Sequence, residues 1–303
     1  MPELPDIDVY VEALSRRVVG KSIRRVMVRS VSLLRTAEPP IEEVEGLRVE
    51  RVSRLGKRIV VGLECELFLV LHLMIAGRLR WHDTPKSPKL GKIDHAAIGF
   101  DSGVLVITEA SSTKRATLHV VRGREGLAAH DAGGLEPLET EPQAIAARLR
   151  ATNRTLKRAL TDPRALAGIG NAYSDEILHA AGLSPIAHTQ KLSDDAMARL
   201  IEATATTLRE WKRRLREEFG LEGEGPGRFP GPGQITAFRP DFAVHGRYGK
   251  PCPTCGTRVA RIVRSENEIN YCPRCQTDGR VLADRSLSRL LKGDWPDRPE
   301  DWE

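Results

Sequence analysis

The sequence has few cysteines and no long apolar run, and both features exclude classes of protein. No stretch reaches the roughly 18 apolar residues of a membrane helix, and the opening residues are not apolar enough for a signal peptide. Only five cysteines occur in 303 residues, and four of them lie close together near the C-terminus. In a reducing compartment such a cluster indicates a metal site rather than disulfides. We therefore expect a cytoplasmic chain without a membrane partner.

The charge is mildly basic and unevenly placed. The net charge is +6 and the isoelectric point about 9.2, which favours an anionic partner. Residues 242–292 carry ten Lys/Arg and four Asp/Glu, whereas residues 293–303 carry five acids and a single Arg. The length predicts two domains, or two domains and a small module.

The first 130 residues read as one helix followed by many short strands. Leu4, Ile7, Val11, Leu14 and Val18 follow the spacing of one helix face, which predicts a helix over residues 5–19. A period of two then predicts strands at 47–54, 58–63, 67–73, 77–82, 96–100, 104–108 and 117–121, besides one near residues 23–28. This pattern is typical of an antiparallel β-sandwich.

The rest of the chain is helical and then rich in cysteine and glycine. Residues 131–142 have the Gly, Pro and acidic composition of a linker, and helical periodicity returns at 144–150, 154–160, 172–181 and 193–217. The glycine/proline-rich segment 220–233 predicts a mobile loop. We expect an α+β multidomain fold, with a catalytic β-sandwich at 1–130, a helical domain at 143–235, a metal-binding finger at 242–292 and an acidic tail at 293–303.

The first residues after Met1 can carry chemistry. A small second residue lets aminopeptidase remove Met1, which leaves Pro2 with a free secondary amine. The pKa of a terminal amine is lower than that of lysine, so more of it is neutral and nucleophilic at pH 7. Glu3 lies beside it and can move a proton. The plain alternative is a processed terminus ahead of a helix.

Two Cys-x-x-Cys pairs are the strongest local signal. Cys252 and Cys255 form the first pair, and Cys272 and Cys275 form the second after sixteen residues. This spacing predicts one structural Zn²⁺ held by four thiolates, with an iron centre or a lost metal as the alternatives. Cys65 lies outside this cluster, and we expect it to be a small buried hydrophobe.

A glycine-rich turn precedes one predicted helix. Gly168, Gly170 and Asn171 come just before the helix that starts near residue 172, where backbone N–H groups can hold a phosphate. The alternative is an ordinary Asn helix cap.

Taken together, these motifs resemble the formamidopyrimidine-DNA glycosylase and endonuclease VIII (Fpg/Nei) family of base-excision repair. The similarity rests on Pro-Glu-Leu-Pro-Asp at 2–6, Gly56-Lys57, His72-Leu73 with Gly77, Gly-Ile-Gly-Asn at 168–171 and the run from His245 to Cys252. The resemblance implies a β-sandwich, a helix–two-turns–helix domain and a zinc finger. It also implies that damaged or abasic DNA is the partner of a monomeric, nucleoid-associated enzyme.

The resemblance also implies roles for individual residues. Pro2 would attack C1′ of the damaged nucleotide, and Glu3 would assist ring opening and proton transfer. Lys57 would contact the phosphate beside the lesion, and Asn171 would hold a backbone phosphate. The finger hairpin would contact DNA through Arg261 and Arg264.

Three positions depart from the family pattern. The family places a methionine three residues after its motif histidine to fill the hole left by the flipped base, whereas this chain has Ile75 there and Met74 one position earlier. The family's Arg-x-Phe loop is replaced by a sequence in which Lys114 or Arg115 stands in. Asn267 occupies the position of an arginine in the finger. These changes affect lesion recognition and leave the catalytic residues intact.

We therefore expect a bifunctional DNA glycosylase and abasic-site lyase that acts through a Pro2 Schiff base and cleaves the strand by β,δ-elimination. A different class of protein, a non-catalytic binder of damaged or distorted DNA with the same fold, is the main alternative. The intact Pro2–Glu3 pair opposes it. A general zinc-ribbon nucleic-acid-binding factor is a weaker alternative, which the first 130 residues do not support.

Overall fold

A computed structural model describes residues 1–86, 88–264 and 267–282. The side chains of Arg264 and Asn267 lie outside this description, and so do the acidic segment 293–303 and the end of the predicted finger. The chain forms two compact units. The first comprises residues 1–132 and 210–236, and the second comprises residues 133–209 and the chain from 237 onward.

The first unit is built mainly from strands. Its helices are α1 (Leu4–Val18) and α2 (Gly123–Ala128), with short 3₁₀ helices at Ile41–Val44 and Glu64–Glu66. Its strands are β1 (Ile23–Val28), β2 (Val49–Leu55), β3 (Arg58–Leu63), β4 (Leu67–His72), β5 (Gly77–His82), β6 (Asp94–Phe100), β7 (Gly103–Glu109) and β8 (Thr117–Arg122). They form two four-stranded antiparallel sheets in the orders β1-β6-β7-β5 and β2-β3-β4-β8. The predicted sandwich is confirmed.

Helix α1 packs into the core of the first unit along the face that its spacing predicts. Leu4, Ile7, Leu14 and Val18 are each at most 1% exposed. Burial of such a side chain stabilises a fold by about 1.5–3 kcal/mol, so the helix is firmly held. A well-held helix fixes the position of the residues at its N-terminus.

The turns of the first unit follow the prediction in position, but one residue does not follow it in burial. Gly56-Lys57 joins β2 to β3, and residues 64–66 join β3 to β4. Cys65 is exposed and has a φ of 61°, so the expectation of a buried residue is wrong. The tight turn forces its side chain out of the sheet, where the neighbouring acidic residues also lie.

The second unit consists of helices and the finger. Its helices are α3 (Pro142–Arg150), α4 (Leu156–Thr161), α5 (Asn171–Ala180), the part of α6 (Asp194–Glu218) up to residue 209, and α7 (Pro273–Thr277), with a 3₁₀ helix at Thr189–Lys191. Strands β9 (Ala260–Arg264) and β10 (Asn267–Tyr271) pair as an antiparallel hairpin. Within the described residues, no helix is both long enough and apolar enough to cross a membrane.

Candidate functional site

The N-terminal residues are held at the start of helix α1 by a reciprocal capping box. The backbone N–H of Glu3 donates to the Asp6 carboxylate at 2.9 Å, and the Glu3 carboxylate accepts the N–H of Asp6 in return. Both carboxylates are buried, and Pro2 is buried as well. Pro5 fits in the first turn because that turn has no intrahelical partner for its missing N–H. The geometry fixes Glu3 directly beside the chain terminus.

The terminal amine lies in a setting that favours its neutral form. Burial is the main cause that lowers the pKa of the amine, which in this chain belongs to Met1, and the positive charges of Arg78 and Lys57 lower it further. The carboxylates of Glu3 and Asp6 act in the opposite sense. The structure thus brings together the terminus, Glu3 and Lys57, which the sequence predicts as a site.

Lys57 is positioned by contacts of its turn with helix α1. Gly56 adopts a φ of 58°, which glycine tolerates best. Nε of Arg54 lies 2.8 Å from Oδ1 of Asp8 on α1, and another nitrogen of Arg54 donates to the Gly56 carbonyl at 3.1 Å. The Arg54–Asp8 pair is largely buried, so the turn is tied to helix α1. Sequence reasoning missed this pair because its members are 46 positions apart.

The segment that joins β4 to β5 presents an exposed apolar tip. Ile75 is 56% exposed, whereas Met74 has a φ of 53° and its sulfur accepts a hydrogen bond from Nδ1 of His72. Burial, together with the charges of Arg58 and Lys57, lowers the pKa of His72 to about 4, so the ring is neutral.

Gly77 permits the close turn that ends this segment. Its N–H donates to the Leu73 carbonyl at 2.8 Å. A Cβ at residue 77 would lie only 2.2 Å from that same oxygen, so any other residue would force the turn open. The turn therefore explains a motif glycine whose purpose the sequence does not reveal.

A buried glutamate anchors the loop that carries Lys114 and Arg115. The carboxylate of Glu109, which is 1% exposed, accepts the backbone N–H groups of Arg115 and Ala116 at 3.0–3.2 Å. The Lys114 ammonium turns back to the Glu109 carbonyl, whereas the Arg115 side chain is exposed. Of the two cations that the sequence offers for this loop, Arg115 is the one presented to solvent.

In the second unit, Asn171 is the first residue of helix α5 and is not its cap. The N-cap is Gly170, which has no side chain to donate or accept. Nδ2 of Asn171 instead donates to the Glu268 carbonyl on β10 at 2.9 Å. The structure therefore argues against the ordinary Asn cap and places Asn171 beside the finger hairpin.

Two buried acids behind Asn171 join helix α5 to the finger. Asp175 accepts hydrogen bonds from Lys157, from Nδ1 of His245 and from the backbone N–H of Asn270. Glu176 accepts the N–H groups of residues 243, 244 and 245 at 2.6–2.9 Å, although burial, the larger influence, raises its pKa. Breaking a buried network of this kind typically costs 3–5 kcal/mol. The sequence signal that could have indicated this network is the pair of adjacent acids inside a helix that is mostly buried.

The four predicted ligands form one cluster. Within the described residues, the sulfur atoms of Cys252, Cys255, Cys272 and Cys275 all lie within 4.8 Å of one another. Two of the Sγ–Sγ separations are 3.9 and 3.4 Å. Tetrahedral Zn–S bonds of about 2.3 Å require separations near 3.8 Å, so these residues fit a zinc ion. Nε2 of His179 on helix α5 lies 3.3 Å from the Cys252 sulfur, a contact that sequence reasoning did not foresee.

In the described part of the finger hairpin, the charged group of Arg261 has two partners. The Arg261 guanidinium lies 4.2 Å from the centre of the Tyr248 ring and 3.1 Å from the Glu268 carboxylate. Both contacts fix its direction. The side chain of Arg264, its predicted companion, lies outside the described residues.

Comparison with known proteins gives a class for each part of this architecture. Residues 1–116 match the formamidopyrimidine-DNA glycosylase N-terminal domain. Residues 134–213 match the formamidopyrimidine-DNA glycosylase H2TH (helix–two-turns–helix) domain, and residues 249–277 match the zinc finger found in these glycosylases and in IleRS. The fold is that of a DNA repair glycosylase with a zinc finger.

Whole-chain relatives agree with the domain matches. The chain is 31% identical over 287 residues to the formamidopyrimidine-DNA glycosylase of Bacillus cereus, covering 91% of this chain and 99% of the relative. It is 40% identical over 159 residues to an uncharacterized formamidopyrimidine-DNA glycosylase-like protein of Mycobacterium tuberculosis, covering 52% and 94%. A crystal structure of the Lactococcus lactis glycosylase, non-covalently bound to DNA with an abasic site, has the same fold, with a TM-score of 0.76 at 22% identity over 91% of this chain and 99% of that one. The chain belongs to the Fpg/Nei family.

Proposed function

We propose that the protein is a bifunctional enzyme that removes damaged bases from DNA and then cleaves the strand at the abasic site. The observation that carries this proposal is the buried chain terminus: burial, with the charges of Arg78 and Lys57, lowers the pKa of the Met1 amine, against the opposing charge of Glu3, and the Pro2 amine takes up this position after Met1 is removed. A non-catalytic binder has no need of a neutral amine next to a carboxylate. Perturbed pKa values of this kind cluster at catalytic sites.

The first chemical step is base removal. The damaged nucleotide leaves the duplex stack, since its C1′ cannot be reached inside it. After removal of Met1, the neutral Pro2 nitrogen bonds to C1′ while the bond from C1′ to the base breaks, and the proton that the nitrogen then loses leaves with the base. Opening of the sugar ring gives an iminium between Pro2 and C1′. Glu3 delivers the proton that the ring oxygen takes up.

Strand cleavage follows from the same covalent intermediate. Loss of a C2′ proton from the iminium expels the 3′ phosphate, which is the β-elimination. Loss of a C4′ proton then expels the 5′ phosphate, which is the δ-elimination. Water hydrolyses the remaining iminium and releases the amine of Pro2. The iminium provides the electron sink for both eliminations, which is why a covalent amine divides a difficult reaction into easier steps.

The other residues hold the substrate. Lys57 contacts the phosphate beside the lesion, and Asn171 exchanges its hydrogen bond to the Glu268 carbonyl for a backbone phosphate. Ile75 fills the space that the flipped base leaves, because it is the exposed residue of its segment. Arg115, Arg261 and Arg264 add further contacts to DNA. Phosphate contacts of this kind fix the register without reading sequence.

One Zn²⁺ bound by the four cysteines supports the second unit. A bound Zn²⁺ would cross-link the two Cys-x-x-Cys turns, and its four thiolate ligands would leave no open position for catalysis. Cys252 and Cys255 precede the β9–β10 hairpin, and Cys272 and Cys275 follow it, so the chain between them is fixed at both ends. The cluster therefore positions Arg261 rather than taking part in chemistry.

The direct test is a panel of duplex oligonucleotides with one defined lesion each, together with an abasic site and an undamaged control. We expect base release from at least one oxidised base and strand cleavage at the abasic site that leaves phosphates at both new ends. Binding to the lesions without base release or cleavage would support the non-catalytic alternative. If cleavage gave only β-elimination products, the proposed δ-elimination would be contradicted and the β-elimination would remain.

A further inference from the structure

Arg78 makes more contacts between separate segments of the first unit than its position in the sequence predicts. It is the second residue of β5, directly after the turn glycine Gly77. Nη1 donates to the carbonyl oxygens of Ile75 at 3.0 Å and Gly77 at 2.7 Å. Nε donates to the carbonyl oxygen of Ile235 at 2.6 Å, which is 157 positions away in sequence. One planar guanidinium thus serves two distant loops, which a lysine has no geometry to do.

The first of these loops is residues 73–77, whose exposed tip is Ile75. The two carbonyl oxygens that Arg78 binds lie at the tip and at the end of the turn. A turn with a residue at positive φ, as Met74 has, needs outside contacts to keep one shape. Arg78 provides such contacts from the adjacent strand.

The second loop is the segment 220–235, which includes the glycine-rich residues 220–233 and makes many hydrogen bonds with arginines of the first unit. Arg16 on helix α1 donates to the carbonyls of residues 221, 223 and 225, and Arg17 donates to those of residues 226 and 227. Phe229 packs against Tyr10 and Trp81 with ring centres 5.8 and 6.1 Å apart. Arg78 fixes the far end of the segment at Ile235, which is buried.

Arg78 also lies close enough to the chain terminus to act on it electrostatically. After burial, its charge is the largest influence that lowers the pKa of the Met1 amine, whose place Pro2 takes after processing, and Lys57 acts in the same sense. Glu3 and Asp6 oppose both. A positive charge disfavours the protonated amine, so it enlarges the neutral fraction at a given pH.

We propose that Arg78 is a positioning residue that joins the nucleophile, the space-filling loop at Ile75 and the glycine-rich segment 220–235 into one preformed site. This inference rests on the proposed function, which makes the terminal amine a nucleophile. As a consequence, the two loops that Arg78 joins already have their shape before DNA binds, and the site selects damaged bases with these preformed loops. The charge of Arg78 and its three hydrogen bonds serve separable purposes.

Two variants separate those purposes. Arg78→Lys keeps the positive charge but loses the planar guanidinium that donates hydrogen bonds to both loops, whereas Arg78→Gln loses the charge. Arg24→Gln is the matched control, because Arg24 lies in the same unit and forms an exposed ion pair with Asp101. All variants are made in the full chain with zinc present, and thermal unfolding confirms that each one folds.

The first measurement is the pH dependence of acylation of the N-terminal amine, read by mass spectrometry of the N-terminal peptide. We expect Arg78→Gln to raise the pH of half-maximal labelling by about 0.5–1, since a nearby cation is removed. Arg78→Lys and Arg24→Gln should match the wild type. Equal profiles for all four proteins would overturn the electrostatic part of the inference.

The second measurement is amide hydrogen exchange of residues 73–77 and 220–236. Both Arg78 variants should exchange several-fold faster in both segments, and Arg24→Gln should not. Unchanged exchange would overturn the structural part. Neither measurement requires catalysis. A wild-type protein that never reacts with abasic DNA would contradict the proposed function, whereas the contacts and the charge effect of Arg78 would still be decided by the labelling and exchange experiments.

Discussion

Arg261 and Glu268 face each other on the finger hairpin, with Nη1 of the arginine 3.1 Å from Oε2 of the glutamate. They lie on the two paired strands β9 and β10. In a DNA complex, a phosphate would compete with this carboxylate for the same guanidinium. Glu268 therefore pairs with a specific residue, Arg261, in addition to repelling the phosphates of DNA through its negative charge.

Glu268→Gln should strengthen DNA binding. The change frees the Arg261 guanidinium and removes one negative charge near phosphates, so we expect a gain of about 0.2–1 kcal/mol, the range of an exposed ion pair. Titration of duplex abasic DNA at fixed salt measures it. Asp278→Asn removes an exposed charge from the same module and serves as control. Equal affinities for wild type and Glu268→Gln would mean that Arg261 does not face DNA.

Ile75 and Met74 should differ in their effects on duplex DNA. Ile75→Ala removes about three buried methylene equivalents from the space that the flipped base leaves, at roughly 0.8 kcal/mol each if fully buried. We expect weaker binding and slower base release on duplex, and little change on single-stranded abasic DNA. Met74→Ala should have the smaller effect, since Met74 contacts His72. A larger effect for Met74→Ala would reverse the assignment, and Val31→Ala, at an exposed site, is the control.

Lys57→Ala should reduce the dependence of DNA binding on salt. One lost phosphate contact lowers the slope of log K against log salt by about 1. Binding isotherms at four or more salt concentrations give the slope, and Lys57→Arg should restore it. Lys21→Ala removes an exposed lysine of the same unit for comparison. A slope unchanged in Lys57→Ala would make Lys57 a solvated turn residue.

Loss of a cysteine ligand should unfold the finger. The protein should contain one zinc ion per chain, and Cys272→Ser should lose it together with the ordered hairpin, because metal binding energy is folding energy in such modules. Elemental analysis and hydrogen exchange of residues 260–271 measure the two effects. Cys65→Ser should change neither, since Cys65 is exposed and distant in sequence from the cluster. Iron in place of zinc would contradict the assignment.

The sequence predicts regular elements well where burial imposes a period. Strands β3 and β5 occur at the predicted residues 58–63 and 77–82. The start of β5 alternates between buried and half-buried residues, whereas β3 is a short and almost fully buried run, and both patterns are typical of strands. Helix α2 was not predicted, since Gly123–Ala128 is short and none of its residues is buried. Apolar spacing gives no signal for such a helix.

The site is predictable only in part, for a physical reason. Pro2, Glu3 and Lys57 belong to short motifs, and the structure does bring the chain terminus, Glu3 and Lys57 together. Arg78, by contrast, acts through backbone carbonyl groups of distant loops. Every residue has such a group, so the amino-acid type does not reveal the contact. The segment 220–235 looks mobile from its glycines, and the sequence gives no sign that its carbonyl groups accept hydrogen bonds from arginines more than 140 positions away.

The central claim is that the N-terminal amine of Pro2 is the nucleophile, and identification of the covalent adduct tests it most directly. The processed protein is incubated with abasic DNA and borohydride, digested, and sequenced by mass spectrometry. We expect the reduced sugar on Pro2, and no adduct in a protein that keeps an N-terminal tag. Burial lowers the pKa of the Met1 amine, and we expect the Pro2 amine to share that setting after processing, so trapping should persist below the pH at which an ordinary terminal amine is protonated. An adduct on Lys57 or another lysine, equally strong in the tagged protein, would contradict the account.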